Sequence, residues 1–299
     1  MDHITKSLYC NRHFKRFLDV LVYSSVYLAF GGACLIYASC LLLGVEPRID
    51  LMFIAFLTIY SIYNLDKIAG KREDEINVPD RFTMFTKYET YLNISALLAF
   101  LTAILLSYMS SGIEMVGVVV FFLIIFILYG VRWIPKSISK YSRLKEIPVV
   151  KNIVTSFAWA WIATFIPVVF YITVNGSGIL IVFTLIFFLT FMNALFFDIR
   201  DIEGDKISGI LTIPVFFGFH KTRTFLLVLN TFMCAFIFIF TFNGLIPVLT
   251  YMLIGIVGYY YAIIYLMDKL NNRAFICDVL VDGDIIIVGV LVFFGAILF

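Results

Sequence analysis

Apolar residues run along this chain in long blocks, at about 17–44, 50–69, 88–110, 112–134, 148–173, 178–199, 222–242, 245–267 and 279–298, with short polar stretches between them. A helix needs about 20 apolar residues to cross the roughly 30 Å hydrocarbon core of a bilayer, and only helices or closed barrels satisfy their backbone hydrogen bonds there. The pattern therefore predicts nine transmembrane helices. Asn243-Gly244 and Asn175-Gly176-Ser177 are turn sequences, so the blocks on either side of each form tight helical hairpins.

Composition agrees. With 62% hydrophobic residues and a mean hydropathy of +1.02, the 299 residues are read as one all-α integral membrane domain spanning 1–299, not a soluble core. The first block is too long for a removable signal, and none is read. Five cysteines without paired CxxC spacing indicate neither a zinc site nor a disulfide framework and are read as small packing residues. A formal charge of +2 gives no reason to expect a nucleic-acid partner.

The distribution of charge is more informative than its sum. All of the 22 Lys and Arg residues except Arg48 fall in the N-terminal segment or in alternate loops. By the positive-inside rule the N-terminus and the loops at about 64–87, 134–151 and 198–221 are cytoplasmic, and the C-terminus is outside.

Three of these loops carry candidate chemistry. Asp198, Asp201 and Asp205 stand at i, i+3 and i+7, within about 60° of arc if the helix continues. Like charges so placed repel unless cations neutralise them. Oxygen ligands of this kind suit Mg²⁺, which shares its remaining positions with water and substrate phosphate. The loop after the second block holds Asn64, Asp66 and Glu73-Asp74-Glu75, then Asn77, Pro79 and Arg81. These acids form either a second cluster on the same side or a solvated loop with internal ion pairs. Two facing clusters bridged by Mg²⁺ can hold a diphosphate and make it a leaving group. Tyr141 and Lys145 at i and i+4, followed by Lys151-Asn152 at a helix N-terminus, supply groups for an anion, although Lys145 could equally snorkel to the interface.

These residues resemble the UbiA family of intramembrane prenyltransferases. The segment Asp198-x-x-Asp201-x-Glu203-Gly204-Asp205-x-x-x-Gly209-x-x-Thr212-Ile213-Pro214 is similar to that family's second aspartate motif and its tail. Asp74-x-x-Asn77-x-Pro79-x-Arg81 resembles the end of the first motif, and Tyr141-x-x-x-Lys145 the diphosphate loop. The resemblance implies nine helices around a central cavity, with Mg²⁺ held between the motifs on the cytoplasmic side. It also implies transfer of an isoprenyl group from a polyprenyl diphosphate to an aromatic or lipid-precursor acceptor in the membrane. Asn64, Asp66, Asp74, Asp198, Asp201 and Asp205 become metal-ligand candidates. Arg81, Tyr141, Lys145, Lys151 and Asn152 become diphosphate-binding candidates, and Asp201, Asp205 and Lys145 catalytic ones. The first motif departs from the family pattern. Aligned on Asp74, Asp66 stands at its Asn, Lys67 at its first Asp and Gly70 at its second; Asn64 takes the Asn role only in a shifted register.

A secondary transporter is the main rival. Its best support is Asp282 and Asp284 in the last block, which are expected to reach the cytoplasmic interface.

Overall fold

Long apolar blocks in lipid have one economical solution, helices packed side by side with every backbone group bonded internally. The computed structural model takes it. It describes residues 12–69, 75, 78–135, 137, 139, 141–208, 210–269 and 276–299, and among these there is no strand. Gly70, Glu73, Asp74 and Asn77, which carry part of the first acidic group, lie outside the described residues.

In chain order the helices are α1 (Arg12–Tyr23), α2 (Val26–Leu42), α3 (Ile49–Ala69), α4 (Pro79–Gly130), α5 (Val150–Phe170), α6 (Gly176–Arg200), α7 (Ile202–Ser208), α8 (Ile213–Phe217), α9 (Phe219–Phe242), α10 (Ile254–Lys269) and α11 (Asp282–Leu298). A 3₁₀ turn, Leu144–Glu146, precedes α5, a second, Val248–Leu253, leads into α10, and a π-helical turn, Ile276–Val281, leads into α11.

Among the described residues seven helices are long and apolar enough to cross a membrane, or up to eight with α1 and α2 taken as one bent span. The block expected at 88–110 and all but the last four residues of the block at 112–134 lie within the single 52-residue α4. At 1.5 Å per residue it would extend about 78 Å, far more than one crossing requires. It breaks where sequence reading separated the blocks, at Ser111 and Gly112. Gly112 has φ 70° and ψ −150°, a conformation that costs a residue without Cβ little.

The first expected span is also broken. α1 and α2 meet at 66° across Ser24-Ser25, where Ser25 takes the left-handed conformation with φ 65°. Such a break frees helix carbonyls that must find other donors inside a membrane protein.

Helices adjacent in the chain pack on one another from α2 to α6, α6 packs on α9, α9 on α10, and α11 on both α10 and α2. The ring is thereby closed. Glycine permits the closing contact: a Cβ on Gly289 would lie 2.9 Å from Cys34 Cβ and 3.2 Å from the Cys34 carbonyl oxygen. Small residues let membrane helices approach in this way.

Candidate active site

Antiparallel packing brings the C-terminal ends of α3 and α6 together with the N-terminal ends of α4, α5 and α11. These are the ends that carry the charged residues, and a cavity of about 230 Å³ opens among them. Its polar wall includes Lys67 of α3, Arg81 of α4, Lys151 of α5, and Asp278 and Asp282 of the last span. Its apolar wall includes Tyr63, Tyr129, Trp159, Phe197 and Ile285. Two of these rings are locked together, since Trp159 Nε1 donates to the Tyr63 hydroxyl at 2.7 Å.

Lys151 organises the acidic side. Its ammonium lies 2.7 Å from Asp198 Oδ1 and 4.0 Å from Asp205 Oδ2. Asn152 Nδ2 donates to Asp198 Oδ2 at 2.8 Å, so the first turn of α5 fixes a carboxylate at the end of α6. Asn152 and Asp198 are both buried. The role of Asn152 in this geometry is to orient Asp198.

Asp201 has a different partner. α6 ends at Arg200, Asp201 caps it, and Asp205 rides on α7. Arg200 grips both Asp201 oxygens, at 2.7 and 2.9 Å, and reaches Asp278 at 2.5 Å. Three carboxylates on one continuous face were expected. Instead the helix ends among them, and the charges are answered by Lys151 and Arg200. Burial opposes ionisation of Asp201, but the Arg200 guanidinium holds its carboxyl below the usual carboxylate range. Asp205 goes the other way: burial pushes its carboxyl up to about 6, with Lys151 opposing and Asp198 and Asp201 reinforcing the shift.

Among the described residues no three acidic, histidine or cysteine side chains converge tightly enough to hold a metal ion unaided. Asp198 and Asp205 nevertheless fit part of such a site. Asp198 Oδ1 and Asp205 Oδ2 are buried oxygens, and one cation, the Lys151 ammonium, already lies within 4.0 Å of both. A hard divalent ion accepts two such oxygens and completes its shell with water or phosphate.

On the facing side, Asn64 is engaged with the broken helix. Its amide donates to the Ser24 carbonyl at 3.0 Å and the Tyr60 carbonyl at 2.8 Å, and its oxygen accepts from Lys67 at 3.1 Å. Asp66 is half-buried on α3. Tyr141 and Lys145 are not among the cavity-lining residues. They flank a turn in which Glu146 accepts from the Ser142 backbone amide and Arg143, each at 2.8 Å. Lys145 is buried, so it does not snorkel into solvent.

Asp278, Arg200 and the position of Lys67 were not singled out from sequence. The available signal was the Asp278-x-x-x-Asp282 spacing at the start of the last block. A π-helical turn carries Asp278 there, and its carbonyls at Val279 and Leu280 are taken by the Tyr27 and Tyr259 hydroxyls at 3.0 and 2.8 Å. Asp284 does not reach an interface as expected. It is fully buried, bonded by Asn193 Nδ2 at 3.0 Å and by the Tyr260 hydroxyl, and it ties α6, α10 and α11 together.

Comparison with known proteins identifies the family and the fold. The UbiA prenyltransferase family model matches residues 89–276. No curated protein matches the chain in sequence. A solved UbiA homolog from Archaeoglobus fulgidus bound to GPP and Mg²⁺ superposes with a TM-score of 0.66 at 14% identity, covering 94% of this chain and 98% of its own. The same comparison with a UbiA homolog from Archaeoglobus fulgidus bound to DMAPP and Mg²⁺ gives 0.64 at 12% identity, covering 92% and 98%. A digeranylgeranylglyceryl phosphate synthase structure gives 0.58 at 16% identity, covering 95% and 98%. The chain belongs to the UbiA prenyltransferase family and is a membrane prenyltransferase.

Proposed function

We propose that the protein transfers an isoprenyl group from a polyprenyl diphosphate, with Mg²⁺, to an aromatic or lipid-precursor acceptor within the membrane. The observation that carries this reading is a cavity with Lys67, Arg81 and Lys151 at its charged end and aromatic rings along its wall. A prenyl diphosphate has the same two-part character. In the proposed topology α1 with α2 forms one crossing and α4 forms two, giving nine. The N-terminus and the charged end of the cavity face the cytoplasm, and the C-terminus lies outside.

Mg²⁺ held by Asp198 and Asp205, with Asp201, Asp66 and Asp74 kept as further candidate ligands from the sequence motifs, would neutralise the diphosphate as it departs. Asn64 is omitted from that set because its Oδ1, the atom that would ligate a metal, accepts from the Lys67 ammonium. Lys151 and Arg81 lie where they can bind phosphate oxygens and stabilise the charge that develops when the allylic C–O bond breaks and its electron pair leaves with oxygen. Tyr63, Tyr129 and Trp159 face the carbon side, where their π-systems attract a carbocation and their bulk keeps water out. The acceptor then forms the new bond to the allylic carbon and loses a proton. Tyr141 and Lys145, outside the lining, are given no contact with substrate.

The transporter alternative draws on Asp284. Its carboxylate is held between two donors on neighbouring helices, which accounts for it as an interhelical tie.

Incubation of purified protein with a radiolabelled prenyl diphosphate, Mg²⁺ and a panel of aromatic and glycerol-phosphate lipid acceptors tests the proposal. Labelled prenylated product that requires Mg²⁺ is expected. Failure across the panel, with no diphosphate binding, would remove it.

A further inference from the structure

The apolar part of the cavity is walled differently on its two sides. From α3, α4 and α5 it meets the rings of Tyr63, Tyr129 and Trp159, whereas α6 presents an amide, Asn193, with Thr190 one turn farther from the charged end. Asn193 is 7% exposed and lines the cavity, so what packing leaves uncovered of this residue faces that space.

A carboxyl and a phenol hold the amide from behind. Asn193 Nδ2 donates to Asp284 Oδ1 at 3.0 Å, and Asn193 Oδ1 accepts from the Tyr260 hydroxyl at 2.9 Å. The same hydroxyl reaches Asp284 Oδ2, so the three groups close a ring. Reversing the amide would set its oxygen against the accepting oxygen of Asp284, so the ring fixes which end donates and which accepts. Asp284 and Tyr260 are fully buried, and neither lines the cavity. An amide carries two hydrogens on nitrogen and two lone pairs on oxygen. One of each is spent on the ring, and among the described residues nothing else bonds to Asn193. Other donors along these walls are used inside the protein. The Tyr27 hydroxyl donates to the Val279 carbonyl at 3.0 Å, Trp159 Nε1 to the Tyr63 hydroxyl at 2.7 Å, and the Thr190 hydroxyl to the Ile186 carbonyl at 2.8 Å. Asn193 thus keeps a donor and an acceptor that the fold orients and does not use. Such groups at an apolar wall cost free energy until a ligand answers them.

We infer that Asn193 is a specificity residue for the acceptor, which it recognises by a hydrogen bond to an uncharged hydroxyl on an aromatic ring, with Asp284 and Tyr260 as positioning residues. The inference rests on the prenyl-transfer reading of the cavity. Asp198, the carboxylate that Lys151 holds at the charged end, lies five residues beyond Asn193 on α6, about 7.5 Å along the helix. A ring bound by its hydroxyl at Asn193 spans part of that interval and offers its carbons toward the allylic centre. The neutral amide accepts the hydroxyl hydrogen without removing it. Its contribution is placement and selection, because a site built around such a bond rejects an acceptor that lacks the donor.

Two probes of similar ring reactivity test this, 2-naphthol and its methyl ether 2-methoxynaphthalene, which differ in whether the oxygen carries a hydrogen. Purified full-length protein is given radiolabelled geranyl diphosphate and Mg²⁺, and kcat/KM is measured for each probe. Wild type is expected to prefer 2-naphthol by tenfold or more. Asn193→Leu is expected to bring the preference below threefold by raising KM for 2-naphthol, with KM for geranyl diphosphate within twofold of wild type. Tyr260→Phe keeps the ring that stacks on Phe196 and releases the amide oxygen. It is expected to lower the preference at least threefold, and it keeps the test decisive should Asn193→Leu fail to fold. A preference that survives in the variants, one lost together with geranyl diphosphate affinity, or a wild type that geranylates the two probes alike or not at all overturns the inference. The proposed function still stands in each of these cases if wild type binds geranyl S-thiolodiphosphate, an analogue whose leaving group departs too slowly to react. Absence of that binding removes both.

Discussion

Asp205→Asn should make the protein more stable and less capable at once. The Asp205 carboxylate is 4% exposed, and its nearest cation, Lys151, is 4.0 Å away. Burial raises its pKa from 3.8 to about 6. At about 1.4 kcal/mol for each factor of ten, the ionised form destabilises the fold by up to roughly 3 kcal/mol above pH 6. The sign follows from proton binding. A carboxyl that holds its proton more tightly when folded than when unfolded gives a stability that falls as pH rises from about 4 to about 6, and is level on either side. Asparagine has nearly the same shape and no charge, so it removes this cost. Thermal unfolding in detergent should show Asp205→Asn melting several degrees above wild type at pH 8 and at the same temperature at pH 4. Added Mg²⁺ with a prenyl diphosphate should stabilise wild type far more than the variant, and the variant should lose most prenyl transfer. A variant no more stable than wild type at pH 8, or one equally stabilised by Mg²⁺ and diphosphate, would refute the account of Asp205 as a buried carboxylate kept for a cation.

Arg200→Met should destabilise the protein by about 3–5 kcal/mol, because it strands the buried Asp201 and Asp278 carboxylates; the Arg200→Met/Asp278→Asn double variant should recover part of that loss in the same melting assay. Gly289→Ala should cost about 1–3 kcal/mol through its clash with the Cys34 backbone, read as a lower melting temperature with substrate affinity nearly unchanged. Cysteines introduced at exposed Ser137 and Glu203 should react with a membrane-impermeant thiol reagent from the cytoplasmic side alone, and labelling from the other side would reverse the proposed topology.

The helices were legible because lipid imposes a length and an apolarity that read directly from sequence. The break in α4 fell where Ser110-Ser111-Gly112 interrupts the apolar run, and the block expected at 178–199 ends one residue before the observed end of α6 at Arg200. The break between α1 and α2 was not legible. Ser24-Ser25 sits inside a continuous apolar block, and what stabilises the bend is distant in sequence: Asn64 and Lys67, some 40 residues away, satisfy the carbonyls it frees. The same limit applied to the acids. Spacing grouped Asp198 with Asp201 and Asp205, but it carried no information on Lys151, which joins the first and third, or on Asp278, which with Arg200 draws the second aside. Periodicity along one helix shows which residues share a face, whereas charge pairing is decided between helices.

That pairing bears on how the proposed reaction begins. Lys151 holds Asp198 and lies near Asp205, Arg200 holds Asp201 and Asp278, and Lys67 donates to the Tyr23 carbonyl, Ser25 Oγ and Asn64 Oδ1 among its partners. A cation at Asp198 and Asp205 competes with the Lys151 ammonium for the same oxygens, and an ammonium so displaced lies on the cavity wall, where phosphate would be. Diphosphate in turn draws Lys151 away from Asp198 and leaves that carboxylate without its cation. On the proposed reading each ligand therefore prepares the site for the other, and linkage requires that the tightening be equal in both directions. The Arg200 pairs are not part of this exchange, since both carboxylates and the guanidinium are largely buried and Arg200 does not line the cavity. The charged end thus divides into a fixed half that holds α6 to the last span and an exchangeable half, centred on Lys151, that meets the substrate.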